Sequence, residues 1–219
     1  MAAQRRRAKD VYRLRSNGDI WVDHAEVFPE DHEWLSGARK LTLWNVKVPD
    51  GFLSRLESLW WLDIRGGTAS HLNVTQGLRN VRYLAINQVR GLADLAAIGE
   101  LYTLRYLDLY GLPQIATLPS CSQLQKLEHV SLGQMRGLRS LRGVLDAPNL
   151  RELQFIRRIT VNDADVEVIA THPTLERFGW YAEDVPAKDV LPVVTRMALP
   201  PCAGVSAAEW FTQRNDGAM

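Results

Sequence analysis

The feature that most constrains this chain is a three-residue apolar signature that returns at nearly fixed intervals. On the template apolar-x-x-apolar-x-apolar the chain reads Ala38/Leu41/Leu43, Leu59/Leu62/Ile64, Val81/Leu84/Ile86 and Leu104/Leu107/Leu109, then Leu127/Val130/Leu132, Leu150/Leu153/Phe155 and Leu175/Phe178/Trp180. Successive units lie 21, 22, 23, 23, 23 and 25 residues apart. All 21 positions are apolar, although only 46% of the chain is hydrophobic. A fixed register would do this by chance about once in 10^7. The last two residues of each triplet are two apart, so an extended strand turns both to one face. A unit this short cannot bury that face alone and must stack on its neighbours.

The unit Leu104 to Lys126, LRYLDLYGLPQIATLPSCSQLQK, resembles the leucine-rich repeat family, whose unit of 20–29 residues reads L-x-x-L-x-L-x-x-N/C-x-L. The resemblance covers residues 38–185. It implies an α/β right-handed solenoid, or horseshoe, with a parallel β-sheet on the concave face and short 3₁₀ or α segments on the convex face. One departure bears on the turns. The family's asparagine position holds Val46, Gly67, Val89, Leu112, Met135, Arg158 and Glu183, so apolar packing is expected to hold the turns in place of an asparagine ladder.

Three regions follow. Residues 1–36 form an N-terminal cap, in which Asn17-Gly18 between alternating segments signals a β-hairpin. Residues 37–185 hold about seven repeats. Residues 186–219, punctuated by Pro186, Pro192, Pro200 and Pro201, form a C-terminal cap and tail, with capping-box spacing from Ser206 to Glu209 before Trp210-Phe211. This last segment is expected to lie as a lid on the final repeat, fraying from Arg214 onward. Past the strands, apolar residues recur every third position, from Val89 to Leu101 and from Leu112 to Leu124, a period that fits 3₁₀ turns. Leu92 to Leu101, and Asp163 to Thr171 behind an Asn162 cap, read as helical.

By strand alternation the residues between the template positions face outward on the concave side. Trp61, Tyr83, Tyr106 and His129 share one template position in four successive units and are expected to form a solvent-facing row. Trp44 and Tyr110 flank it, with Asp63, Arg65, Asn87, Asp108, Glu152, Arg177 and Tyr181 alongside. Rings interspersed with charges match the composition of protein interfaces. Two plainer readings stand beside this one: the rings stack as cross-strand pairs and only stabilise the sheet, or the N-terminal cap folds over Trp44 and Trp61.

The net charge of +1 argues for neither nucleic acid nor an anionic membrane, and Arg5-Arg6-Arg7 reads as a solvated tail. No stretch has a membrane span's length, and no secretory signal pattern is present. Cys121 and Cys202 form no metal or redox motif and suit a reducing cytoplasm. His24, His32, His71, His129 and His172 show no ligand spacing, and nucleotide-binding and nucleophile-elbow motifs are absent. The expectation is a non-catalytic protein–protein interaction module, without cofactor or metal, gripping a protein partner on its concave face. An alternative is a cytoplasmic inhibitor or immunity protein that neutralises a toxin, as the ribonuclease-inhibitor branch of the family suggests. A third reading is a hydrolase using His129, Ser131 and Asp108.

Overall fold

Each apolar triplet feeds one strand in the computed structural model, which describes residues 5–214. The strands are β1 (Arg6–Arg7), β2 (Arg13–Leu14), β3 (Asp19–Asp23), β4 (Ala25–Glu26), β5 (Lys40–Trp44), β6 (Trp61–Arg65), β7 (Tyr83–Asn87), β8 (Tyr106–Tyr110), β9 (His129–Met135), β10 (Glu152–Ile159) and β11 (Arg177–Tyr181). Nine of them form one sheet in the order β11-β10-β9-β8-β7-β6-β5-β3-β2. Every neighbouring pair is parallel except β2 and β3, an antiparallel hairpin whose turn holds Asn17-Gly18. β3 pairs with β5 and so adds one rung ahead of the first triplet.

The rungs stack without slipping from β3 to β9: Leu41 lies opposite Leu62, then Leu84, Leu107 and Val130. This register follows from the two-residue period, since a slip of one would turn every leucine to water. Of the template residues only Ile64 and Trp180 are part-exposed, and the rest lie in the core. The three-residue runs behind the strands are buried as well, from Val89 to Leu101 and from Leu112 through Cys121 to Leu124. They form the second wall of the same core.

A second regularity recurs along the rungs. Two residues past the last template position, His24, Asn45, Gly66, Gln88, Gly111, Gln134 and Arg157 all have positive φ, between 47° and 68°. This left-handed residue ends β3 and β5 to β8, whereas β9 and β10 run on through Gln134 and Arg157 to Met135 and Ile159. Parallel backbone bonds continue through this point: the amides of Asn45, Gln88 and Gly111 donate to the carbonyls of Arg65, Tyr110 and Gly133 on the next rung.

The wall opposite the sheet is built mostly of short pieces, as the three-residue period predicts, including 3₁₀ segments at Leu53–Arg55, Asn73–Thr75 and Ala96–Glu100. The helix expected over Leu92 to Leu101 is only the last of these. Four α-helices precede the carboxyl-terminal region: α1 (Ala8–Val11), α2 (His32–Leu35), α3 (Arg142–Leu145) and α4 (Asp163–Ala170). Asn162 caps α4 by accepting from the Asp165 amide. α5 (Ala187–Met197) packs on β11 and α4 with Pro192 inside it, and α6 (Ala207–Gln213) follows.

Both ends depart from expectation. Arg5-Arg6-Arg7 is exposed to solvent as expected but is not a loose tail: β1 pairs with β4, Arg5 donates to the Asn45 carbonyl at 2.6 Å, and Arg7 pairs with Glu30 at 2.6 Å. At the other end Arg214 is pinned by an ion pair, whereas residues 215–219 of the tail expected to fray lie outside the described residues. No helix among the described residues is long and apolar enough to cross a membrane.

Candidate binding face and the helix across it

The face of the sheet turned away from the leucines carries three rows, one for each outward position along the strands. The first runs Lys40, Trp61, Tyr83, Tyr106, His129, Glu152, Arg177. The second runs Thr42, Asp63, Ala85, Asp108, Ser131, Gln154, Gly179, and the third Trp44, Arg65, Asn87, Tyr110, Gly133, Ile156, Tyr181. The sequence-predicted neighbours are therefore neighbours in space.

Their exposure is another matter. The first row forms a continuous ring stack: Trp61 on Tyr83 at 3.7 Å, Tyr83 edge-on to Tyr106 at 5.4 Å, Tyr106 on His129 at 3.9 Å. Yet Tyr83, Tyr106, His129 and Glu152 are buried, with Tyr106 only 6% exposed. The expectation that this row faces solvent is corrected here, because the C-terminal segment folds back across it. Behind α5 the Pro200 carbonyl accepts from the Phe178 amide, the Tyr181 hydroxyl donates to the Cys202 carbonyl, and Cys202 sits over Gly179. Gly204, with φ of +63°, then turns the chain into α6.

α6 lies on the ring row. Ser206 and Glu209 close the capping box that their spacing predicts. Trp210 meets Tyr106 and His129 edge-on at 5.5 and 5.9 Å, and Phe211 meets Trp60 at 5.3 Å. Both are 1% exposed. Together with Trp60, Tyr83, Ala85 and Tyr106 they form a small apolar cluster separate from the leucine core. Arg214 closes the far end, with its guanidinium 4.0 Å from the Trp210 ring and 2.5 Å from Glu152 Oε1. Burying two such rings removes roughly 300–500 Å² of surface, worth about 8–12 kcal/mol. Ordering residues 206–214 costs about 1–2 kcal/mol per residue, a sum of similar size. The docked segment is a marginal element, in which polar clamps matter.

Those clamps are incomplete. Glu152 is held as a carboxylate below its ordinary range: burial works to raise it, but the hydrogen bond with His129 and the charge and hydrogen bond of Arg214 outweigh that. Against an ionised Glu152, His129 Nδ1 carries the proton and donates at 3.0 Å. Burial keeps the imidazole below its ordinary range. Its Nε2 is then a bare acceptor. That atom and Trp210 Nε1 are the buried side-chain polar atoms without a partner among the described residues.

Of the other two rows the third stays largely uncovered, whereas in the second Thr42, Asp63, Ala85, Ser131 and Gly179 are buried and Asp108 and Gln154 are part-exposed. Trp44 is 44% and Tyr181 40% exposed, and Arg65, Asn87, Tyr110 and Ile156 are part-exposed. Trp44 rests edge-on against Trp21 of β3 at 5.8 Å, and the N-terminal region does not fold over it. The ring of Tyr110 lies across Gly133, where an added Cβ would stand 2.4 Å from Tyr110 Cδ2. In the middle row Arg65 holds the buried Asp63 through bonds of 2.6–3.0 Å. Burial pushes the Asp108 carboxyl up to about 6 against a hydrogen bond with Ser131. Arg177, at the edge of the first row, is exposed and donates to the Pro201 carbonyl.

Sequence reasoning missed the docking of Trp210, Phe211 and Arg214, and with it the part played by Trp60. The signal lay in α6 itself, a seven-residue capped helix bearing two large adjacent rings. Such rings need a surface to bury against. No group of three or more His, Cys, Asp and Glu among the described residues is arranged to hold a metal.

No protein-family model and no curated protein matches the chain. Among solved structures it is similar to an internalin from Listeria monocytogenes, with a TM-score of 0.59 and 18% identity over 84% of this chain and 53% of that one. The chain thus spans about half the length of the internalin. What this likeness shows is the fold: a leucine-rich-repeat-like arrangement of mixed α/β type built around one large, mostly parallel sheet.

Proposed function

We propose that this chain is a right-handed leucine-rich repeat solenoid acting as a non-catalytic protein–protein interaction module, with its partner held on the uncovered third row of the concave face. The observation that carries the reading is the third row. Trp44, Arg65, Asn87, Tyr110 and Tyr181 stand at one position of five rungs and remain accessible after α6 has covered the first row. Rings set among a guanidinium, an amide and the part-exposed Asp108 carboxylate suit a protein surface, where a few aromatic and arginine anchors supply most of the binding energy. The likeness to an internalin supports an interaction role at the level of fold alone. A reducing, cytoplasmic setting belongs to the same reading, supported by two free, buried cysteines whose thiols burial pushes up to about 12.

The test is affinity capture with the full chain, followed by titration of the captured partner. Trp44→Ala and Tyr110→Ala are expected to weaken the complex by about 2 kcal/mol each while leaving the unfolding midpoint within a few degrees. A partner bound equally well by both variants and by wild type sinks the assignment to this face.

A further inference from the structure

We propose that the ring row is a groove for a short amphipathic helix of a protein partner, and that residues 206–214 fill it as a stand-in which the partner's helix displaces. This rests on the protein-interaction reading and names what the covered row of the face recognises.

The docked segment displays the recognition pattern directly. Two adjacent aromatic residues enter the row, Trp210 against Tyr106 and His129, and Phe211 against Trp60, Trp61 and Tyr83. One turn beyond Trp210, Arg214 answers the Glu152 and Glu128 carboxylates. A partner helix carrying an aromatic pair followed by arginine fits the same row.

Three features make this occupant exchangeable. Its cluster is separate from the leucine core, so undocking leaves that core intact. The helix has seven residues, too few to persist alone, and Gly204 at φ +63° stands in the short link before it. Docking also leaves His129 Nε2 and Trp210 Nε1 without partners among the described residues. An incoming helix that sets a donor against His129 Nε2 improves on the stand-in at that atom. The tethered segment competes at high effective concentration, so a partner must bind well enough to overcome it.

The experiment uses the full chain and a fluorescent synthetic peptide copying residues 203–214. The Trp210→Ala/Phe211→Ala double variant is expected to bind the peptide at least tenfold more tightly than wild type, and adding Tyr106→Ala is expected to abolish that binding. A cooperatively folded double variant that ignores the peptide, or binding equal to that of wild type, overturns the proposal. Hydrogen exchange on the wild-type chain keeps the question open to test should the variant not fold. Amides of 207–213 are expected to exchange at least 100-fold faster than those of β8, and exchange of both only through global unfolding overturns it. A wild-type dimer dissociated by the peptide would make a second copy the occupant and overturn the assignment to another protein. Should a captured partner depend on Trp44 and Tyr110 while the helix never opens, this inference fails and the interaction reading stands.

Discussion

His129 and Glu152 share a buried hydrogen bond of 3.0 Å under the C-terminal helix, and Arg214 takes the carboxylate's other oxygen. Burial holds the imidazole low, and Arg214 with the His129 hydrogen bond holds Glu152 below its ordinary range although burial opposes this. A depressed folded-state pKa stabilises above the unfolded value and is lost as pH falls through the folded one. Unfolded histidine and glutamate titrate near ~6.5 and ~4.3. Acid is therefore expected to loosen α6, with tryptophan emission shifting red between pH 6 and pH 3 before the sheet's far-UV signal changes.

Glu152→Gln tests the same pair at constant pH. The amide keeps the shape but loses the charge that Arg214 answers and that strengthens the hydrogen bond from His129. A loss of about 1–3 kcal/mol in urea unfolding at pH 7 is expected, with a flatter acid dependence than wild type. An unchanged midpoint would show that Arg214 and His129 contribute nothing to holding the helix.

What the sequence made legible is the part governed by periodicity. Leu107 and Leu109 declare their strand, their face and their register against Leu84 and Ile86, because one slipped residue would expose them all. Tyr106 is placed by the same rule, and its position in the row is read correctly. Its exposure is not. Whether water or Trp210 covers that ring depends on a contact between residues more than a hundred apart in the chain, and no local pattern carries it. The left-handed row was hidden for a different reason. Histidine, asparagine, glutamine, arginine and glycine share little beyond tolerance of an exposed turn, so their common φ is visible only once the rungs are stacked.

That row yields a paired test. An added Cβ at Gly111, φ +68°, would lie 2.8 Å from Gln88 Cγ on the preceding rung. Gly111→Ala therefore meets both the left-handed penalty and a crowded side chain, and about 1–3 kcal/mol of stability is expected to go. Gln88→Gly removes the crowding and frees its own left-handed site. The double variant is expected to recover at least 0.5 kcal/mol relative to the sum of the singles, measured as a coupling energy in denaturant unfolding. Strict additivity would mean that Gln88 simply moves aside.

Asp108 titrates with the opposite sign to Glu152. Burial pushes its carboxyl up to about 6, the Ser131 hydrogen bond works against this, and Asp63 adds repulsion that Arg65 offsets. A raised folded-state pKa gives stability that is full below the unfolded value of ~3.9 and lost as pH rises through the folded one. Asp108→Asn is expected to match wild type near pH 4 and to exceed it by on the order of 1–2 kcal/mol at pH 7.5. If the carboxylate is a partner's anchor, the same variant binds that partner more weakly despite its greater stability.

Tyr106 and Tyr110 share one strand and lie four residues apart, yet they answer to different forces. Tyr106 is 6% exposed, stacked on His129 and capped by Trp210, so removing its ring empties a packed site. Tyr106→Ala is expected to cost about 3–5 kcal/mol. Much of that loss is expected to appear as release of α6, seen as tryptophan exposure ahead of the main transition. Tyr110 is part-exposed and lies across Gly133, with solvent on its outer side. Tyr110→Ala leaves no enclosed cavity and is expected to cost about 1 kcal/mol or less. Thermal unfolding of the two single variants decides between them. Equal and large losses would mean that the third row is structural too, which would leave this face without its strongest claim to a partner.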